Sequence, residues 1–230
     1  RTQPERPLNL FLSLNLRLQS LARQELFGRK GAIVAIDPNT GFIKALVSSP
    51  DYNPNILNKT EIGSPYPEEK QVDSPFFNRA ISGSYPPAST IKPFLGLLGL
   101  EERAIDAGTI IKDEGVFQIN GEGRKYRGWK EEGHGEVNLH KAIVESSDVY
   151  FYELASKLTI DKISHFLSLF NFGKNTGIDL NNESPSILPD RNWKLGNIGE
   201  TWFVGDTVNM GIGQGYIAVT PIQLASSVSA

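Results

Sequence analysis

The chain has 230 residues, 39% hydrophobic and 21% charged, with a formal net charge of −3 and no cysteine. Such a composition suits an ordinary globular protein that can bury a core without disulfides or metals. It excludes a basic nucleic-acid footprint, a disulfide scaffold, a thiolate metal cluster and a cysteine nucleophile.

Residues 1–7, Arg-Thr-Gln-Pro-Glu-Arg-Pro, read as a linker entering from something upstream. Leu8, Leu10, Leu12 and Leu14 alternate with Asn9, Phe11 and Ser13, a period of two that predicts a strand. Asn15 stands where it can cap a helix carrying Leu18, Leu21, Ala22 and Leu26 on one face, stopped by Gly28. Ala32–Asp37 and Phe42–Ser48 are β-rich runs joined by Pro38-Asn39-Thr40-Gly41, which predicts a hairpin. Pro50 to Pro87 is rich in Pro, Gly, Ser and Asn and has no period, so it reads as a long surface connection. A helix is expected from about Ser89 through the apolar run Phe94–Leu100. That run is far short of the ~20 residues needed to span a bilayer.

Ile110–Val137 carries glycine and charge without a helical pattern. Helices are expected at about Leu139–Glu145, Val149–Leu158 and Ile160–Phe170, the last closed by Gly173. Ser184–Gly215 reads as irregular. Thr220-Pro221-Ile222-Gln223 reads as a helix start, with a capping threonine, a first-turn proline and a glutamine to complete a capping box. That helix has run about two turns at Ala230, so an internal part of a longer protein is expected. A hairpin followed by a helical block predicts an α+β domain whose remaining strands lie beyond Ala230.

Lys92 is the odd residue in this pattern, because it sits at the mouth of a helix about to leave water. Positions three apart share a helix face, so Ser89 and Lys92 are expected side by side. Pro93 fits only in the first turn, which fixes the helix start near Ser89. Free N–H groups there favour a developing negative charge. Desolvation beside Phe94 and Leu95 would lower the lysine pKa from its usual ~10.4. A neutral lysine can then take the serine proton, and the serine can attack a carbonyl. The competing reading is a capping serine with a lysine snorkelling out of the first turn.

Ser146-Ser147-Asp148 lies at the junction of two predicted helices. A second hydroxyl near the lysine could relay a proton to a leaving amine. Asp148 could hold the lysine and bind a substrate amide. The competing reading makes Ser146 or Asp148 the cap of the helix that follows.

Taken in order, these pieces resemble the class B penicillin-binding proteins. Tyr85-Pro-Pro-Ala-Ser-Thr-Ile-Lys-Pro93 is similar to their active-site serine motif, and Gly31–Gly41 to their opening hairpin. Glu145-Ser-Ser-Asp148 with Val149–Tyr152 is similar to their second motif. Gly211-Ile-Gly-Gln-Gly215 and Thr220–Leu224 are similar to the segment after it. Tyr126-Arg-Gly-Trp129, Gly133-His-Gly135 and the acidic third residue of the second motif point to the elongation-specific branch, penicillin-binding protein 2.

The resemblance implies the transpeptidase fold, with residues 8–230 as its N-terminal part after an upstream pedestal. It implies Ser89 as acylated nucleophile, Lys92 as base, Ser146 as proton shuttle and Asp148 as the residue positioning lysine and substrate. The implied reaction opens a D-Ala-D-Ala bond of a peptidoglycan stem peptide and passes the acyl group to a neighbouring amine. Implied partners are stem peptides and their lipid-linked precursor, β-lactams, and the glycan polymerase of the cell-shape complex. The implied place is the bacterial inner membrane, with the catalytic domain in the periplasm. No cofactor is implied. A β-lactamase or D,D-carboxypeptidase, or a penicillin-sensing domain, would use the same scaffold.

Two departures stand out. The family's third motif, Lys-Thr-Gly or Lys-Ser-Gly, is expected beyond Ala230, and these residues alone are expected to be inactive and incompletely folded. Some relatives bind zinc through two Asp, one His and one Cys, and the matching positions here are Asp113, Gly128, His134 and Ser147. With two ligands gone no zinc is expected, and His134 is expected to be a loop histidine with a local hydrogen bond.

Overall fold

The computed structural model describes residues 9–54, 74–121 and 123–230. The expected linker over residues 1–7 lies outside them, as do residues 55–73 of the long connection. The predicted hairpin forms from β1 (Gly31–Ile36) and β2 (Ile43–Ser49), antiparallel with Gly31 opposite Ser49. Its turn closes where Gly41, at φ +70°, donates its N–H to Asp37 O at 2.8 Å. That left-handed conformation is one only glycine takes without strain.

Helix α1 (Leu16–Glu25) starts as the sequence predicts, with Asn15 Oδ1 accepting from Leu18 N at 3.1 Å. It lies along the free edge of β2. There the Gln19 amide donates to Leu46 O and accepts from Leu46 N, both at 2.8 Å. One side chain thus supplies the two bonds that another strand would make. The strand expected over Leu8–Leu14 does not form: residues 9–15 are irregular, and Leu8 lies outside the described residues. Leu10 and Phe11 are 81% and 90% exposed. An alternating pattern specifies a strand only where one of its faces is buried, and this segment has no such face.

A 3-10 turn (Ala88–Ile91) leads into α2 (Lys92–Glu101). Then come α3 (Leu139–Val144), α4 (Asp148–Lys157) and α5 (Ile160–Leu169), close to the expected spans. Helix α4 is the centre of the core, with Val149, Tyr150, Phe151, Tyr152, Leu154 and Ala155 all buried. After Asp148 its polar side is confined to Glu153, Ser156 and Lys157, so most of its circumference faces the interior. Helix α2 packs on it, and Phe94 makes edge-on contacts with Phe170 and Phe172 at 5.1 and 5.2 Å. Leu97 and Leu100, within the apolar run, stay exposed.

Ser184–Gly215, expected to be irregular, contains α6 (Arg191–Ile198) and α7 (Val204–Met210). Asp190 caps α6 by accepting from Trp193 N at 2.6 Å. Buried Lys194 donates to Asp206 Oδ2 at 2.7 Å, and that carboxylate also accepts from Phe203 N at 2.9 Å. Gly196 and Gly205 weaken the helical pattern, so this tertiary tie holds what propensity does not. Ile110–Val137 holds four short strands. β3 (Ile111–Asp113) pairs with β6 (Gly135–Val137), and β4 (Val116–Gln118) with β5 (Lys125–Arg127).

Helix α8 (Pro221–Val228) is capped by Thr220, whose Oγ1 accepts from Gln223 N at 3.2 Å. Gln223 does not close the expected capping box. Its Nε2 donates to the carbonyls of Asn171, Lys174 and Pro185. Ile222 of α8 packs with Ala80 and Ile81 against Val34 and Ile43 of the hairpin.

Asp113, at the end of β3, ties these pieces together. Its Oδ1 accepts from Gly115 N at 2.8 Å. Its Oδ2 accepts from Ser147 Oγ at 2.7 Å and from His134 Nδ1 at 2.6 Å. Asp113, His134 and Ser147 are all buried. Burial pushes the Asp113 carboxyl up, but the bonds from Ser147, His134 and Gly115 outweigh it and hold it below the usual carboxylate range.

Two substitutions test this packing in the intact protein. A Cβ at Gly211 would lie 2.6 Å from Phe151 O and 2.8 Å from Ala155 Cβ. Gly211→Ala is therefore expected to cost about 1–3 kcal/mol in urea unfolding, the range for overpacking. Asp113→Ala strands three buried donors, on Gly115, Ser147 and His134, and is expected to cost about 3–5 kcal/mol. The Asp113 contribution is complete above its unfolded pKa of about 3.9 and is lost as pH falls through the lower folded value. Acid should therefore erode the parent's stability more steeply than that of D113A.

Candidate active site

Ser89 stands exposed in the 3-10 turn at the head of α2, and Lys92 opens the helix itself, with Pro93 in its first turn. The turn is held from behind. Ala88 N donates to Gly213 O at 3.0 Å, and a Cβ on Gly213 would lie 2.2 Å from Ala88 O. Backbone therefore lies directly on backbone beneath the serine, which is what the second glycine of Gly211–Gly215 permits.

Lys92 is only 1% exposed. Its Nζ donates to Ser146 O at 2.9 Å, Ser146 Oγ at 3.0 Å and Asp148 Oδ1 at 2.7 Å. Ser146 Oγ in turn donates to Ser89 Oγ at 2.8 Å. The Phe151 ring centroid lies 5.6 Å from Nζ. Burial pushes the lysine pKa down, while the hydrogen bond and charge of Asp148, then the charge of Asp113, pull it up. Burial prevails, and Lys92 sits below the ordinary lysine value.

The structure thus brings all four expected residues, Ser89, Lys92, Ser146 and Asp148, into one hydrogen-bonded group. It differs from the sequence reading in one respect. The two residues of the first motif meet through Ser146 Oγ, which lies between Ser89 Oγ and Lys92 Nζ. Nor does Ser146 cap α4. Ser147 does, accepting from Tyr150 N at 3.2 Å. Ser146 takes a left-handed conformation, φ +54°, which turns its hydroxyl and carbonyl toward the lysine.

Sequence reasoning assigned no role to Trp129, yet it touches this group twice. Its backbone N donates to Asp148 Oδ2 and its indole Nε1 to Ser146 O, each at 3.1 Å. Its signal in the sequence is its place in Tyr126-Arg-Gly-Trp129, which marks the branch of the family and not a contact with Ser146 or Asp148. Trp129, Glu131, Glu132, His134, Glu145 and Ser146 line a groove of about 720 Å³ beside the reactive group. Another groove of about 630 Å³ lies between β1 and α8, lined mainly by apolar side chains such as Val34, Ile36, Val219 and Leu224. Apolar walls without converging polar groups supply no chemistry, so the site is the polar one.

The residues at the zinc-matching positions do not fit the metal. Gly128 has no side chain with which to coordinate a metal. The Ser147 hydroxyl is already committed as donor to Asp113 and as acceptor from Tyr150 N. Neither can serve as the missing ligands of a tetrahedral site. His134 is not the locally bonded loop residue expected: it is buried and bonded to Asp113, 21 positions away. The fold brings together the positions that the resemblance grouped, and Asp113, His134 and Ser147 bond one another there.

Residues 31–230 match the family described as penicillin binding protein transpeptidase domain. Peptidoglycan D,D-transpeptidase MrdA of Acinetobacter baumannii is 45% identical over 233 residues, covering 100% of this chain and 34% of that protein. The crystal structure of Pseudomonas aeruginosa PBP2 in complex with WCK 5153 superposes with a TM-score of 0.87 at 40% identity, covering 95% of this chain and 50% of that one. PBP2 of Helicobacter pylori, in complex with MreC, gives 0.82 at 36% identity over 92% of this chain and 40% of the other. The chain spans about a third of the length of the curated relatives it matches. Among the described residues no helix is long and apolar enough to cross a membrane. Fold, motif order and a family match over residues 31–230 agree: the chain belongs to the penicillin-binding protein transpeptidase family.

Proposed function

We propose that this chain carries the acyl-forming site of a peptidoglycan D,D-transpeptidase of cell elongation, with Ser89 as nucleophile. The observation that carries the reading is the continuous path from Ser89 Oγ through Ser146 Oγ to the buried Lys92 Nζ, which Asp148 holds.

As an ammonium, Lys92 places its three protons on three acceptors. Losing one leaves a lone pair facing Ser146 Oγ. The two hydroxyl bonds then reverse: Ser146 gives its proton to Lys92 and takes the proton of Ser89. Ser89 Oγ attacks the carbonyl carbon of the D-Ala-D-Ala peptide bond. The C–N bond breaks, and the proton returns along the same relay to the departing D-alanine amine. An amine of a neighbouring stem peptide then attacks the ester, its proton passes to Lys92, and Ser89 leaves reprotonated. A β-lactam would acylate Ser89 in the same way, but its amine remains tethered.

The proposed partners are stem peptides and their lipid-linked precursor, β-lactams, and the glycan polymerase and cell-shape proteins of elongation. The Helicobacter pylori relative seen with MreC supports a cell-shape partner of that kind. The proposed place of work is the periplasmic face of a bacterial inner membrane.

Fluorescent penicillin provides the test, applied to the intact protein. Ser89→Ala should yield no adduct, and Lys92→Met should slow acylation by about 10²–10⁴-fold, the usual worth of a general base. A persistent adduct is expected of a transpeptidase. Rapid release of opened drug would move the assignment to a hydrolase, and labelling that survives Ser89→Ala would end it.

The pH dependence has a defined sign. Acylation needs neutral lysine, so its rate should climb with pH along a limb below the ordinary ~10.4. Asp148 raises the lysine pKa, so Asp148→Asn should move that limb to lower pH. Stopped-flow acylation rates at a series of pH values provide the check.

A further inference from the structure

We propose that Trp129 is a positioning residue of this site, setting the strength with which the Ser146 carbonyl holds the Lys92 amine. This rests on the serine–lysine reading above. The Ser146 carbonyl accepts from two donors at once, Lys92 Nζ at 2.9 Å and the Trp129 indole N–H at 3.1 Å. A shared acceptor binds each donor less strongly than one it serves alone. The indole thereby loosens the grip of this carbonyl on the ammonium and favours the neutral base.

Several independent features fix the indole in this place. Trp129 is 65% exposed, so burial does not hold it. Its own backbone N–H is bonded to Asp148 Oδ2. The preceding Gly128 N donates to Gly115 O at 2.9 Å. On its inner side the ring meets the His134 ring edge-on, with centroids 5.4 Å apart, and His134 is held in turn by Asp113. Tyr152 Oη donates to Arg127 O at 3.2 Å, two residues before the tryptophan. The Asp113 bonds thus reach the catalytic lysine through one exposed ring. Ser146 gains as well, because its left-handed backbone would otherwise leave the carbonyl direction to Lys92 alone.

The charged groups facing Lys92 are Asp148, by direct contact, and Asp113 behind it. The neutral hydroxyl of Ser146 and the Phe151 ring complete its surroundings. Tyr152 is pushed up to about 12 by burial and then by the Asp148 charge, so this anchor stays protonated through an alkaline scan.

Trp129→Phe keeps an aromatic ring beside His134 and the backbone bond to Asp148, and removes the indole N–H together with the second ring of the indole. Second-order acylation by fluorescent penicillin would be measured for the intact parent and W129F from about pH 6 to about pH 10, the span over which a lowered lysine titrates. Melting temperature would be recorded alongside. The expected result is an acid limb moved to higher pH by about one unit, a tenfold slower reaction near neutrality. Rates should converge as pH rises, with little change in melting temperature. A limb in the parent position overturns the proposal, whether the rate is unchanged or uniformly lowered, since a purely structural role lowers rate without moving a pKa. If the serine–lysine reading itself is wrong, the failure appears earlier, as an unaltered protein that forms no Ser89 adduct.

Discussion

A lysine almost wholly removed from water is the constraint around which this structure is arranged. Burying an ammonium costs several kcal/mol unless acceptors meet it. Here three acceptors do, and all come from the short segment Ser146–Asp148 between α3 and α4. That requirement fixes the geometry of the junction. Ser146 has to be left-handed so that its carbonyl and hydroxyl face the same amine. Helix α4 has to start at Asp148, so that the carboxylate lies at its N-terminus, where the helix dipole also favours a negative charge. The six buried residues of α4 then anchor this junction in the core, and packing against α2 brings the lysine to it.

The paired serines show how one short sequence serves two demands. Ser147 points inward, caps α4 and bonds Asp113. Ser146 points outward, to Lys92 and Ser89. Had Ser146 been the cap, its oxygen would have been committed to a backbone N–H and the proposed relay would have no path. The left-handed turn separates the two jobs, and the neighbouring residue takes over the capping. Local stability and chemistry therefore do not compete for the same oxygen.

What the sequence disclosed follows the range of the forces involved. Asn15, Thr220 and the Pro38–Gly41 turn act on atoms within a few residues, so their positions could be read directly. Ser89 and Lys92 share a motif for the same reason. Residues whose partners lie far along the chain were misread or missed. Gln223 looked like half of a capping box, but it bonds carbonyls about 40 to 50 positions away. Lys194 and Asp206 hold α6 and α7 together across two glycines that a pattern search counts against a helix. Leu8–Leu14 has the alternation of a strand without a face to bury it. The family resemblance grouped Asp113, His134 and Ser147 and quoted Trp129 in a motif, but the hydrogen bonds from His134 to Asp113 and from Trp129 to Ser146 are set by folding.

The two hydrogen-bonded serines, Ser89 and Ser146, arrive from turns that are strained in the same sense. Ala88, just before Ser89, has φ +48°, and Ser146 has φ +54°. Neither is glycine, and such conformations cost of order 1–3 kcal/mol each and persist only where surrounding contacts over-determine them. The contacts are present in both cases and are independent of each other. Gly213 lies against Ala88 from the segment before α8, while Lys92 and Trp129 both bond the Ser146 carbonyl. Helix α2 connects the two turns through Lys92. With each serine pinned by a different part of the fold, neither can relax without breaking contacts of its own. Their oxygens are thereby kept at a hydrogen-bonding distance of 2.8 Å before any substrate is present. For the acyl transfer proposed above, orientation established during folding need not be established again in the transition state, so strain in two short turns would become a contribution to rate.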